Sequence, residues 1–160
     1  MMAVCVFAGS FDPFTVGHLQ IARRAASLFG KTVILVAANA EKRCFFSDEE
    51  RLEIVRASIA DDPRLSVELC EETVADAAMS LGAVCIVKGL RDSTDYNYES
   101  HFAYACRALG GPEVVFLDVE EEYAHVSSTF VRELFRYEKD FSPYLAEGAH
   151  ETVKRFLKNK

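Results

Sequence analysis

The residues best suited to chemistry fall in four segments, 9–18, 39–46, 88–99 and 118–129. The first reads Gly9-Ser10-Phe11-Asp12-Pro13-Phe14-Thr15-Val16-Gly17-His18. Gly9 lets the backbone approach a ligand closely, and Ser10 offers a hydroxyl and an N–H to an anion. Gly17 admits His18 to a helix start, where free N–H groups and the helix dipole favour phosphate. A tight turn with a capping histidine would account for Gly17-His18 alone; the ten-residue string asks for more. It matches neither the GxxxxGK[ST] nor the GxGxxG phosphate loop. Lys42, taken alone, reads as a solvated surface lysine, and Glu99 as an exposed helix glutamate. Ser127-Ser128-Thr129 supply three adjacent hydroxyls where a helix cap needs one. With helix-start N–H groups they form a second place for an anion. Glu120-Glu121-Glu122 reads as a solvated acidic loop rather than a metal site. His101, His125 and His150 lack metal-ligand spacing.

Short apolar runs alternating with helix-period segments must position these groups. Residues 4–8, 33–37, 65–69, 84–87 and 114–117 read as five strands. Leu19, Ala22, Ala26 and Phe29 mark one face of a helix ending at Gly30. Ser47 with Glu50 makes a capping box for a helix over 48–60, and 74–81 is a helix stopped by Gly82. A polar segment and a helix run from 88 to the Gly110-Gly111 break. Ser127 or Ser128 caps a helix carrying Val131 and Leu134, and Ser142-Pro143 opens the C-terminal helical region. Strands apolar on both faces, separated by helices, indicate a parallel sheet covered on two sides. The expectation is one α/β domain over residues 1–160, with a five-stranded parallel sheet. Such sheets bind ligands beyond the carboxyl ends of their strands, where all four polar segments fall.

The composition narrows the function. Half of the 160 residues are apolar and 27% are charged, enough for a packed core and against disorder. Lys and Arg total 18 against 25 Asp and Glu, a net charge of -7 that argues against nucleic-acid and anionic-membrane partners. A small phosphorylated ligand needs only a few well-placed cations. Five cysteines without CxxC pairs or Cys/His ligand spacing point to free thiols and a reducing, cytoplasmic setting. Cys5 and Cys85 sit in apolar runs and should pack as small hydrophobes. Residues 1–8 are too short for a signal peptide, and no run approaches the ~20 apolar residues of a membrane span.

Thr15-Val16-Gly17-His18 resembles the TxGH loop of the nucleotidyltransferase superfamily. Val126-Ser127-Ser128-Thr129-Phe130-Val131-Arg132-Glu133 resembles its second signature, the ISSTxxR-type helix start. Lys88-Gly89-Leu90-Arg91 followed by Asp95-Tyr96-Asn97-Tyr98-Glu99 is similar to the RGLR…DxxYE segment of the bacterial phosphopantetheine adenylyltransferases. Motif order and chain length match as well, so the resemblance covers essentially the whole sequence. It implies a Rossmann-like fold and an enzyme of coenzyme A synthesis. ATP and 4'-phosphopantetheine would give dephospho-coenzyme A and pyrophosphate, by in-line attack of the 4'-phosphate without a covalent enzyme intermediate.

The resemblance also implies roles. His18 would donate to the α-phosphate oxygens in the transition state. Ser10 would contact both phosphates, Lys42 would bridge the attacking phosphate and the α-phosphate, and Arg91 would reach the β- and γ-phosphates. Phe11, Gly89, Leu90 and Glu99 would belong to the ATP site, with Tyr123, Ala124, His125, Val126, Ser127, Ser128 and Thr129 wrapping the nucleotide. Val74 would contact pantetheine through its backbone. Lys88 departs from the family's usual Arg: it keeps the charge for the substrate phosphate but loses the planar two-bond fork. Mg²⁺ would be held mainly by ATP phosphates and water, with no protein ligand. A homohexamer is the assembly to expect. Two alternatives stay open: another TxGH adenylyl- or cytidylyltransferase of the nicotinate mononucleotide or glycerol phosphate type, and a non-catalytic ATP-binding sensor module.

Overall fold

Strand residues alternate between two faces, and both faces of this sheet are apolar. In the computed structural model, which describes residues 3–38 and 43–160, β1 (Ala3–Gly9) sends Cys5 and Phe7 to one face and Val6 and Ala8 to the other. β2 (Gly30–Ala37), β3 (Leu65–Cys70), β4 (Cys85–Leu90) and β5 (Val114–Asp118) complete an all-parallel sheet in the order β3-β2-β1-β4-β5. The fold is Rossmann-like α/β. α1 (Val16–Phe29), α2 (Asp48–Ser58), α5 (Ser128–Arg136) and α6 (His150–Leu157) share the core of the Cys5/Phe7 face. α3 (Val74–Ser80) and α4 (Ser93–Ala108) cover the Val6/Ala8 face.

β1 and β4 are neighbours, yet the chain leaves β1 towards β2 and leaves β4 towards β5. That reversal opens a crevice at their carboxyl ends, the place where open α/β sheets take ligands. β4 extends three residues past Val87, so Lys88, Gly89 and Leu90 are strand rather than loop, paired with Phe116, Leu117 and Asp118. The Cys85/Val87 alternation places Lys88 on the α3/α4 face, where its ammonium lies 4.4 Å from the Phe102 ring centre on α4. Gly30 ends α1 and starts β2 directly, with φ at 106°, a region open mainly to glycine.

The elements match the sequence expectation with shifted ends. α2 stops at Ser58 rather than residue 60, and α3 at Ser80. β2 begins at Gly30, not residue 33, because the buried Thr32 can enter a strand by bonding its hydroxyl to Ala22 O (3.3 Å) and meeting Cys5 Sγ (3.2 Å). The five cysteines are free thiols. No helix among the described residues is long and apolar enough to cross a membrane.

Candidate active site

The loop after β1 is held by its own side chains. Thr15 caps α1 by accepting from the His18 N–H (3.4 Å), and His18 Nδ1 accepts in return from the Thr15 N–H (3.0 Å). The capping histidine is therefore real, and it has a chemical consequence. A ring nitrogen that accepts an amide hydrogen carries no proton, so in the neutral imidazole the proton sits on Nε2. Phe7, Phe11 and Phe14 surround the ring at 6.3, 5.1 and 5.4 Å between centres. This burial, aided by the Arg91 charge, pushes the His18 pKa down to about 4. At neutral pH His18 is thus a neutral group with one donor.

Gly9 is needed for space: a Cβ there would lie 3.0 Å from the Phe11 ring. Phe11 itself adopts φ 48°, a left-handed conformation that a bulky residue takes only when its surroundings impose it. Asp12, almost fully buried, accepts from the N–H groups of Phe45 (2.7 Å) and Phe46 (2.9 Å). It thereby ties the β1 loop to the segment leading into α2. The backbone oxygen of the same aspartate accepts from Arg132 Nη1 at 2.6 Å.

Around this loop lies a cleft of about 1150 Å³. Ser10, Phe11 and His18 line it from β1 and α1, Lys88, Gly89, Arg91 and Glu99 from β4 and α4, and Val126, Ser127, Ser128 and Thr129 from the start of α5. Three separated sequence segments therefore converge on one space. Leu90, Tyr123, Ala124 and His125 lie outside that lining; His125 packs edge-on to Phe130 and Tyr144 instead. Val74, at the first turn of α3, packs against the core of the opposite sheet face. Lys42 lies outside the described residues.

Three cations of the cleft are already engaged with acids. Lys88 forms an ion pair with Glu99 (3.1 Å) and donates to Ala8 O (3.1 Å). Arg91 grips Asp95 with two bonds, 2.9 and 3.1 Å, which raises its own pKa and lowers that of Asp95 against the opposing effect of burial. Arg132 lies 3.8 Å from the Asp12 carboxylate and donates to Thr129 Oγ1 at 3.2 Å.

The three hydroxyls of α5 divide the work. Ser127 caps the helix by accepting from Phe130 N–H (3.0 Å), and the Ser128 hydroxyl donates to Pro13 O (2.8 Å). A hydroxyl has one proton, so in this arrangement Ser128 would meet an anion through its backbone N–H. That group and the N–H of Thr129 start the helix and face no earlier turn. Among the described residues no group of three or more His, Cys, Asp or Glu could hold a metal. The triple glutamate is an exposed 3-10 turn over Glu121–Tyr123 and its cap.

Sequence reasoning gave no site role to Asp12, Arg51 or Arg132. Arg132 was visible as the last residue of the ISSTxxR-type motif; Asp12 and Arg51 carried no signal, since a buried charge reads like a surface one until its partners are known.

The family model for cytidylyltransferase-like proteins matches residues 6–134, which places this α/β chain with its switch-point cleft in the class of nucleotidyltransferases. The phosphopantetheine adenylyltransferase of Phocaeicola vulgatus is 39% identical over 147 residues, covering 92% of this chain and 97% of that protein. That of Corynebacterium efficiens is 41% identical over 156 residues, 97% of each chain, and that of Kocuria rhizophila 46% over 133 residues, 82% and 84%. The chain belongs to the phosphopantetheine adenylyltransferase family. Among solved structures, a bifunctional NMN adenylyltransferase/ADP ribose pyrophosphatase from Francisella tularensis superposes with a TM-score of 0.71 over 99% of this chain. This chain spans 49% of it at 18% identity, a likeness of fold alone.

Proposed function

We propose that the chain joins the adenylyl group of ATP to 4'-phosphopantetheine. An oxygen of the 4'-phosphate attacks the α-phosphorus, the bond from that phosphorus to the bridging oxygen of the β-phosphate breaks, and pyrophosphate leaves. No protein nucleophile takes part, so positioning and charge stabilisation carry the rate. The observation that carries this reading is the His18 tautomer: a neutral imidazole, proton on Nε2, lining the same cleft as Lys88, Arg91 and the α5 helix start. A preset donor of this kind suits the oxygens of a phosphorus passing through five coordination. It costs no proton transfer and no reorientation at the moment of reaction.

In this reading Ser10 contacts both phosphates, and the N–H groups of Ser128 and Thr129 with Arg91 hold the β- and γ-phosphates. Lys88 takes the phosphate of pantetheine by leaving Glu99, while Gly89 and Glu99 border the nucleotide. Lys42, Phe11, Leu90, Val74 and the stretch Tyr123, Ala124, His125 and Val126 keep their family roles as expectations. The cleft slightly exceeds the ~300–1,000 Å³ usual for one ligand, as two substrates require. Mg²⁺ would supply charge neutralisation while held mainly by the triphosphate and water, as the family resemblance implies. A homohexamer is the assembly carried over; Tyr98, Tyr104 and Leu109, 74%, 62% and 56% exposed along α4 and its end, are large side chains that an assembly would cover.

A pyrophosphate-release assay with a panel of phosphorylated acceptors tests the reaction. Release with 4'-phosphopantetheine alone is the expected result. Release only with nicotinate mononucleotide or glycerol phosphate, or none while ATP still binds, would overturn it.

A further inference from the structure

Arg51 on α2 is the one lysine or arginine among the described residues that is buried, with 1% of its side chain exposed. Its Nη1 donates to the backbone oxygen of Ser10, and both Nη1 and Nη2 donate to Ala37 O at 3.1 Å. Nη2 also pairs with Asp48 at the start of α2. Its Nε has no partner. The guanidinium is thus oriented by its two terminal nitrogens, at the expense of the third. Burying such a charge is costly, and an apolar side chain of similar volume would often fill the space at no loss of stability.

What the charge holds are the carboxyl ends of two adjacent strands. Ala37 ends β2, one strand over from β1, and Ser10 directly follows β1. The grip on Ser10 has a directional consequence. In a planar trans peptide the C=O and N–H point opposite ways. Drawing the Ser10 oxygen towards Arg51 therefore turns the Phe11 N–H away from it. That N–H has no acceptor among the described residues, and Phe11 lines the cleft. Phe11, on the far side of that peptide, holds a left-handed φ of 48°.

We propose that Arg51 is a positioning residue for adenylyl transfer: by clamping Ser10 O and Ala37 O, it sets the Phe11 N–H as a phosphate donor alongside His18. The inference rests on the reaction proposed above. Arg51 itself meets no substrate; it acts through the Ser10–Phe11 peptide.

Arg51→Lys and Arg51→Met test it, with Asp48→Asn as the control that weakens the ion pair but leaves the two carbonyl contacts. Steady-state rates are measured at a temperature where thermal scans show each variant folded. Small misplacements of a reacting group cost up to about 100-fold. Arg51→Met should lower kcat on the order of 10- to 100-fold, with the KM for phosphopantetheine within about 2-fold of the parent because that phosphate is held elsewhere. Arg51→Lys, which keeps the charge and one carbonyl contact, should recover part of the loss, and Asp48→Asn should keep the parent kcat. If Arg51→Met does not fold, the lysine variant carries the test by its intermediate kcat. Parent-level kcat in Arg51→Lys, or a loss that disappears on cooling along with the stability defect, would overturn the clamp. A parent enzyme inactive towards phosphopantetheine would instead count against the reaction.

Discussion

Protonating His18 should destabilise this protein, and the size of the effect follows from where the ring sits. The folded pKa is about 4, against about 6.5 for an exposed histidine. Above pH 6.5 the ring is neutral in both folded and unfolded chains, and it adds no pH dependence. Between pH 6.5 and 4 the unfolded chain binds the proton and the folded one does not, so stability falls as pH falls. At pH 5 the difference is about 2 kcal/mol, and below pH 4 it levels off at about 3 kcal/mol. A proton on Nδ1 would also end its acceptance of the Thr15 N–H and with it half of the α1 capping box. Urea unfolding at pH 7 and pH 5, compared between the parent and His18→Gln, isolates this contribution. The parent should lose about 2 kcal/mol more than the variant. NMR titration of the ring C–H signals, assigned by the resonance missing in His18→Gln, should give a midpoint near 4. A midpoint near 6.5, or equal losses in both proteins, would refute the neutral-donor account of His18.

Lys88→Arg should leave kcat intact or lower the KM for phosphopantetheine, because the fork restores a two-bond grip on phosphate; a hundredfold loss of activity would show another role for Lys88. Asp12→Ala should cost about 3 kcal/mol by leaving the Phe45 and Phe46 N–H groups without their carboxylate, read as a drop of roughly 6–12 °C in Tm. Chelating Mg²⁺ with EDTA should stop pyrophosphate release yet leave the Tm of the ligand-free protein unchanged, since the described side chains form no metal cage; a lower Tm would reveal a resident ion.

The strands were legible because a sheet covered on both faces needs uninterrupted apolar runs, and residues 4–8 or 114–117 provide them. Legibility failed where polar side chains belong to strands. Thr32 hides the start of β2 and Lys88 the end of β4, each satisfied by partners that only the folded chain brings near. The cap of Ser47 with Glu50 was readable from local spacing, whereas the choice between Ser127 and Ser128 was settled only by the bond from the Phe130 N–H to Ser127. Arg51 was not: three residues beyond Asp48 on a helix rich in acids, it looks like a surface ion pair until the two strand ends close around it. The polar segments proposed for the site were picked out by chemistry and order along the chain. The tautomer of His18 and the donation of Ser128 to Pro13 depend on folded geometry, which spacing does not encode.

Lys88 with Glu99, Arg91 with Asp95 and Arg132 with Asp12 are electrical latches on three of the cleft's cations. An arriving anion must displace carboxylates before it gains those cations. Orthophosphate meets one such couple at a time and has little to offer in exchange, whereas a triphosphate and a second phosphate ester together can release several. Such latches would favour ligands of high total charge and reach over a lone phosphate.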